Sequence, residues 1–475
     1  MSTSSSSKHP ASSDVAVSRR RFFYGTTALA AASLAPGCVR AAAWRKGVRV
    51  STFSADVTVP IGHGMMGGSW VAKRIADPLE AHGVVIEASG GRSAIVSVDW
   101  CEIRNEAYEA WQNVLADALG TKPEQVMIST VHQHDAPVAD LLAERLLRQR
   151  GLAGSVCDPK FHEQALDRVG AAARASLKNS RVATHLGTGK ATVRQLASNR
   201  RYVMPDGQVR FDRTSSTRNA FAIAADEGLV DPDLRTLSFW DGDTALAALS
   251  FYAVHPMSYY GRGDVSADFP GIARRRRQEE LPGVKQIYCS GCSGNITAGK
   301  YNDGAPGTRA VLADRLHEAM AGAWKETRRV PLRAAEFRSE PVRFSPRSDA
   351  GFTAEDLEKT LSTELRPFQQ CLAAMGLSWL RRSEAGRAIS VPTLDFGSAQ
   401  ILLLPGESYV EFQIAAQQMR PDVFMCVAGY GDGATGYIPT DQHVLQGDPN
   451  LKDWCWVAPG AEARLLAAVR KVVRA

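Results

Sequence analysis

Along most of this chain short apolar runs alternate with amphipathic segments, and several of the apolar runs stop at a histidine or a carboxylate. Residues 84–86 and 94–98 read as strands with Gly90-Gly91 turning between them. Apolar residues at helical spacing predict a helix over 106–119, stopped by Thr121-Lys122-Pro123. The run 126–131 predicts a buried strand ending at His132-Gln133-His134, with a helix over 160–177 after it. The theme returns at 236–240 and 245–254, a turn-linked strand pair ending at His255-Pro256. Helices over 271–280 and 308–324 follow, with a short strand 285–289 and a Gly-rich loop between them. It returns once more at 399–404, which leads to Pro405-Gly406-Glu407, a helix over 410–419, a strand over 423–429 and a closing helix over 461–473. Paired strands interleaved with helices predict an α/β layered sandwich of mixed β-sheets, packed face to face and flanked by helices. Residues 340–395 are the least regular, with 355–372 readable as a helical insertion or lid over one face, and no short-period repeat is visible.

The first 43 residues do not belong to this pattern. A Ser-rich tail leads to Ser18-Arg19-Arg20-Arg21-Phe22-Phe23 and a weakly apolar run over 24–36, the form of a twin-arginine export signal and too short to span a bilayer. Cleavage after Ala41-Ala42-Ala43 is one expectation, and lipidation of Cys38 within Ala35-Pro36-Gly37-Cys38 is the other. Either leaves a single domain over 44–475 outside the cytoplasm, periplasmic or extracellular. Twin-arginine export carries folded proteins, often around a cofactor, and a metal site suits that route. No later stretch reaches 18 uninterrupted apolar residues, so no membrane span is expected in the remainder.

Charge and cysteine usage exclude some classes. The net charge of +6 owes part of its excess to the signal arginines. Basic clusters at 274–277 and 381–382 lack interleaved aromatics, which argues against nucleic acid. Eight scattered cysteines are too few for a disulfide framework in a chain of 475 residues. Cys289-Ser290-Gly291-Cys292 has zinc-ribbon spacing without a second pair, and reads as buried or loop thiols.

His132 and His134 are separated by one residue, so an extended strand would point both imidazoles to one side, an arrangement suited to zinc or to one ligand and one proton carrier. Glu407 directly follows a run expected to be buried, where an unpaired carboxylate is costly and a metal ion is one of the few partners that offsets the cost. His255, between an apolar run and Pro256, is the third candidate. A salt bridge to arginine is the alternative for Glu407, and an ordinary core histidine the alternative for His255.

Together the segments resemble the neutral/alkaline non-lysosomal ceramidase family. Asp56-Val57-Thr58-Val59-Pro60-Ile61-Gly62, Met66-Gly67-Gly68 and Ala76-Asp77-Pro78-Leu79-Glu80-Ala81 are similar to its opening motifs, and the later segments follow in order to about residue 470. The resemblance implies an α/β sandwich holding one zinc ion. It makes His132, His255, Glu407 and Tyr437 the zinc ligands, with Tyr430 an available substitute for Tyr437. It places His134 and Arg200 at the substrate. The chain departs from the family where Gly294-Asn295-Ile296-Thr297 replaces Gly-Asp-Val-Ser, and where Asp135-Ala136-Pro137 follows His134 in place of Ser-Gly-Pro. It ends near the close of the family's catalytic domain.

The implied activity is hydrolysis of an N-acyl amide of a lipid or other amphipathic small molecule by zinc-activated water, with His134 moving the proton and Arg200 facing the developing oxyanion. Thr297 is expected to orient rather than attack. Peripheral contact with a membrane is compatible with such a substrate. A catalytically degenerate lipid- or carbohydrate-binding protein on the same scaffold, or a zinc esterase or phosphoesterase, stands as the alternative.

Overall fold

The structure, a computed structural model, describes residues 47–474. The segment expected to be an export signal, the cleavage expected after Ala43 and Cys38 lie outside the described residues. Three larger sheets, of five, five and four strands, form the frame, and all three are built by one device. A hairpin is followed by a helix, and the helix returns the chain as a strand parallel to the hairpin's second strand.

In the first sheet β1 (Val48–Asp56) lies against the hairpin β2 (Glu80–Ala88) and β3 (Gly91–Val98), and α1 (Asn105–Leu119) crosses over to β4 (Val126–Thr130), parallel to β3. In the second, the hairpin β5 (Asp233–Asp241) and β6 (Thr244–Tyr252) is followed by α2 (Asp268–Glu280) and by β7 (Lys285–Ser290), parallel to β6. In the third, the hairpin β8 (Ile389–Asp395) and β9 (Ala399–Leu403) is followed by α3 (Val410–Met419) and by β10 (Phe424–Ala428), parallel to β9. Parallel neighbours need such a crossover because their ends lie a strand length apart.

Strand alternation fixes how the sheets pack. Val84, Ile86, Ile95 and Met127 of the first sheet, Leu237, Phe239, Leu249 and Ile287 of the second, and Leu394, Ile401, Leu403 and Cys426 of the third share one buried cluster. Their sequence neighbours Val85, Val96, Ile128 and Leu402 belong to another cluster, with Trp111 and Leu115 of α1 and Phe412 of α3. Three sheets thus meet through one set of faces and are covered by helices on the other, the layered α/β arrangement expected. Among the described residues no helix is long and apolar enough to cross a membrane.

Residues 340–395 are more regular than the sequence suggests. In place of one helix over 355–372 there are two, Ala354–Thr363 and Pro367–Glu384. Pro367 divides them: proline disfavours helical geometry in the residue before it and sits comfortably at the first turn of a new helix. The same stretch supplies β8, a strand within the third sheet. Cys289 and Cys292 are buried free thiols.

Several histidines are sealed in this interior. His162 is 3% exposed and its Nε2 has no hydrogen-bond partner. Burial, with His63 nearby, pushes its pKa down to about 4. The unfolded chain therefore takes up a proton near pH 6.5 that the folded chain refuses, so this contribution is intact above 6.5 and is lost as pH falls towards 4. Acidifying from pH 7 to 5 is expected to lower the unfolding free energy, with His162 responsible for about 2 kcal/mol of the drop. Urea denaturation of wild type and His162→Leu at both pH values measures it, and equal drops in the two proteins would contradict the assignment.

Candidate metal centre

The ends of the parallel strands of all three sheets touch. Ser129 Oγ donates to the Gly429 carbonyl at 2.8 Å, and the Thr130 N–H to the Tyr430 carbonyl at 3.0 Å. The Gly429 N–H donates to the Ser290 carbonyl at 2.8 Å, and Ser290 Oγ to the Val131 carbonyl at 2.7 Å. The candidate residues leave the sheets at this junction: His132 just beyond β4, His255 just beyond β6 and Glu407 just beyond β9.

His132 does not continue the strand. Its φ of 68° puts it in the left-handed region, a costly conformation for a residue with a side chain, and one that clusters at functional sites. Its N–H donates to the Trp100 carbonyl at 2.9 Å and its Nδ1 to the Cys101 carbonyl at 2.8 Å. The two imidazoles of His132 and His134 converge, with ring centroids 5.5 Å apart, through this turn rather than through strand alternation. His255 Nδ1 donates to the Ser293 carbonyl at 3.0 Å. A carbonyl only accepts, so both Nδ1 atoms carry the proton and both Nε2 atoms present lone pairs.

Those lone pairs face Glu407. Its Oε2 lies 3.3 Å from His132 Nε2 and 3.6 Å from His255 Nε2, and it has no hydrogen-bond partner. The three side chains are 2%, 0% and 2% exposed for His132, His255 and Glu407. Their ligand atoms lie within 4.8 Å of one another. Three electron-rich atoms buried together repel unless a positive charge joins them. A proton on His132 meets part of that need: burial opposes it, but the Glu407 carboxylate helps draw the His132 pKa well above its ordinary value. A divalent cation meets it more fully, and two imidazoles with a carboxylate are a donor set that suits zinc. Gly294 makes the approach of Glu407 feasible, because a Cβ there would lie 2.2 Å from the Glu407 carbonyl oxygen.

The remaining candidates surround this group. His134 Nε2 is 3.3 Å from His255 Nε2, and its Nδ1 has no partner. Burial first, then His132 and Arg200, hold its pKa well below the usual imidazole value, so it is neutral and able to accept a proton. Glu407 and Tyr437 face each other in a short parallel pairing, and the Tyr437 hydroxyl accepts from Arg200 Nη1 at 2.7 Å. Burial works against the Arg200 charge, but Tyr437 and Glu407 outweigh it and keep the guanidinium charged. Tyr430 occupies a different place: its ring stacks on His132 at 4.1 Å, and its hydroxyl meets Ser293 Oγ at 2.7 Å and His255 Nδ1 at 3.3 Å. It buttresses both imidazoles through these contacts. Thr297 pairs with His255 through the backbone, while its hydroxyl donates to the Thr214 carbonyl at 2.9 Å and accepts from the Gly299 N–H at 3.2 Å.

No protein-family model and no curated protein sequence matches the chain. Solved structures do. The neutral ceramidase from Pseudomonas aeruginosa superposes with a TM-score of 0.65 at 18% identity, over 90% of this chain and 74% of the neighbour. A ceramidase complexed with C2 gives 0.66 at 19% identity, over 90% and 75%. The chain has a neutral ceramidase-like fold.

Sequence reasoning missed the residues that orient the candidates. The Cys101 and Ser293 carbonyls carry no side-chain signal at all. Tyr430 was legible only as a substitute for Tyr437 among the ligands, not as the ring that stacks on His132. Glu411, four residues beyond Glu407, accepts from Asn295 Nδ2 at 3.2 and 2.9 Å, a pairing that an aspartate at 295 would turn into repulsion between carboxylates.

Two outcomes are expected of metal analysis on the purified chain. Glu407→Gln should lose most of the bound metal, and metal content equal to wild type would remove Glu407 from the ligand set. Gly294→Ala, which touches none of the three donor atoms, should lower metal affinity about tenfold or more by displacing the Glu407 backbone.

Proposed function

We propose that this chain is an exported zinc-dependent amidohydrolase that cleaves an N-acyl, ceramide-like amide. The observation that carries this reading is the partnerless Glu407 Oε2 set between the Nε2 lone pairs of His132 and His255. The ceramidase-like fold supports the substrate class, and the paired arginines Arg19 and Arg20 support export to the periplasm or beyond. His132, His255 and Glu407 would hold the ion, with Tyr437 as the further ligand beside Glu407. When bound, zinc supplies a Lewis acid that lowers the pKa of water and polarises a carbonyl.

The chain's own groups divide the rest of the work. His134 Nε2 lies 3.3 Å from His255 Nε2, at the edge of the ligand set, which supports it as the group that takes the proton of the attacking water and returns it to the leaving nitrogen. Arg200, held by Tyr437, places a fixed positive charge where the carbonyl oxygen gains negative charge. The Thr297 hydroxyl is engaged by the Thr214 carbonyl, which supports attack by water over attack by this side chain.

Chelation should abolish turnover of N-acyl amides, and zinc should restore it. His134→Ala should reduce kcat by about 10²–10⁴-fold while metal content stays at the wild-type level. Thr297→Ala should retain most activity. Turnover that survives chelation, or an acyl-enzyme trapped in wild type and lost in Thr297→Ala, would overturn the mechanism.

A further inference from the structure

Three short stretches of chain, 60–65, 70–75 and 261–265, lie side by side at the surface. Gly64–Met65 pairs with Trp70–Val71, and the Gly62 N–H donates to the Ala72 carbonyl at 2.7 Å. On the other side Arg74–Ile75 pairs with Asp264–Val265, and the Lys73 N–H donates to the Gly263 carbonyl at 2.7 Å. The stretch 70–75 therefore runs down the middle of a small platform. Its inner side is sealed, with Met65, Ala72 and Val265 at most 1% exposed. Its outer side carries aliphatic side chains in water: Ile61 is 56% exposed, Val71 46% and Ile75 47%. Single exposed apolar residues are ordinary on a protein surface, whereas a group of them on one platform points to a partner.

Cations stand among these side chains. Lys73 falls between Val71 and Ile75, its stem packed on Gly263, where a Cβ would lie 2.8 Å from Lys73 Cδ. Arg262, next to Gly263, is exposed as well. Among the described residues neither Lys73 nor Arg262 pairs with a carboxylate. The one carboxylate in the three stretches, Asp264, is taken by Arg74 at 2.8 Å. Three cations against one carboxylate leave an excess of two positive charges. A second group of exposed apolar residues, Val203, Phe221, Ile223 and Leu229, lacks this bias, since the four arginines of 201–229 are matched by four acids there.

That combination selects the partner. Aliphatic side chains enter the boundary between lipid headgroups and acyl chains, while lysine and arginine stems lie along the apolar surface and keep their charges at the phosphates. Nucleic acid would meet the cations and leave the aliphatic side chains in water. A second copy of this face would set its positive charges against like charges. The platform also borders the candidate centre: the ring of Trp70, beside Val71, is 5.8 Å from that of Tyr260, and Tyr260 is 4.9 Å from His134.

We propose that this platform docks the protein on an anionic lipid bilayer, with Ile61, Val71 and Ile75 entering the headgroup boundary and Lys73 and Arg262 meeting lipid phosphates. The docking stands on this surface alone; only its use, bringing a lipid amide to the rim of the site, rests on the amide-hydrolase reading. The test is flotation of the full chain with phosphatidylcholine vesicles with and without phosphatidylglycerol. Phosphatidylglycerol vesicles should bind it, less so at high salt. Lys73→Gln should weaken that binding about fivefold, and Val71→Ser with Ile75→Ser about tenfold or more, with thermal melts reporting that the variants are folded. An environment-sensitive fluorophore on Val71→Cys should brighten on the vesicles, and one on Val330→Cys, at the edge of the second sheet, should not. Binding that is absent, indifferent to phosphatidylglycerol or equal in the variants would overturn the docking, as would a label at 71 that stays silent while the one at 330 responds. Turnover of a short, soluble N-acyl amide is read in parallel and should be the same in wild type and Lys73→Gln. Its absence from both would count against the hydrolase reading and leave the docking to be decided by the vesicles.

Discussion

Three strands from three sheets end against one another, and the hydrogen bonds between those ends hold the candidate centre together. Ser129, Ser290 and Gly429 tie β4, β7 and β10 into a common rim. The rim fixes the backbone of the loops that follow each parallel strand. Those loops carry His132, Ser293 and Tyr430, while the neighbouring hairpin strands deliver Cys101, His255 and Glu407. Each sheet therefore contributes from two adjacent strand ends, and side chains on such ends are held by the rigid sheet behind them. Were the first or second sheet to shift, a donor and its orienting carbonyl would move together.

The second constraint is charge in a dry interior. Burial disfavours ions everywhere in this molecule, and most buried charges are answered by a neighbour: Arg274 bridges Glu80 and Asp99 at 3.1 and 3.2 Å, and Arg104 reaches Glu102 at 2.7 Å. Glu80, His82 and Asp99 lie as close together as the candidate ligands do, yet Arg274 already supplies their cation. Among the described residues no arginine or lysine forms an ion pair with Glu407, and Arg200 acts on it only at longer range. The contrast separates a structural ion pair from a site prepared for a ligand charge.

The points where the chain departs from the ceramidase motifs have local explanations. Asn295 pairs with Glu411 and also accepts the Val410 N–H at 2.9 Å, so its amide uses both of its ends. Asp135 accepts the Gly261 N–H at 3.0 Å and meets Arg309 at 3.0 Å. In that role it anchors the loop that lays Tyr260 against His134, with ring centroids 4.9 Å apart. Both changes adjust the walls around the donor group and leave the donors in place.

The sequence by itself determined the strand and helix pattern, the layered α/β class and the residues worth suspecting, because strand alternation, helical spacing and apolar runs ending in His or Glu are local signals. Tertiary structure decided the rest. The recurring theme of strands and helix was legible, but that each helix returns its strand parallel to the hairpin's second strand was not, since strand direction and pairing leave no mark on the residue pattern. The convergence of His132 and His134 came from a left-handed turn that no spacing rule foretells. Tyr430 and Tyr437 were interchangeable on paper; only packing put one against the imidazoles and the other beside Arg200. Contacts such as Cys101 O to His132 Nδ1 are made by backbone atoms, which every residue possesses, so their role depends on where the fold places them.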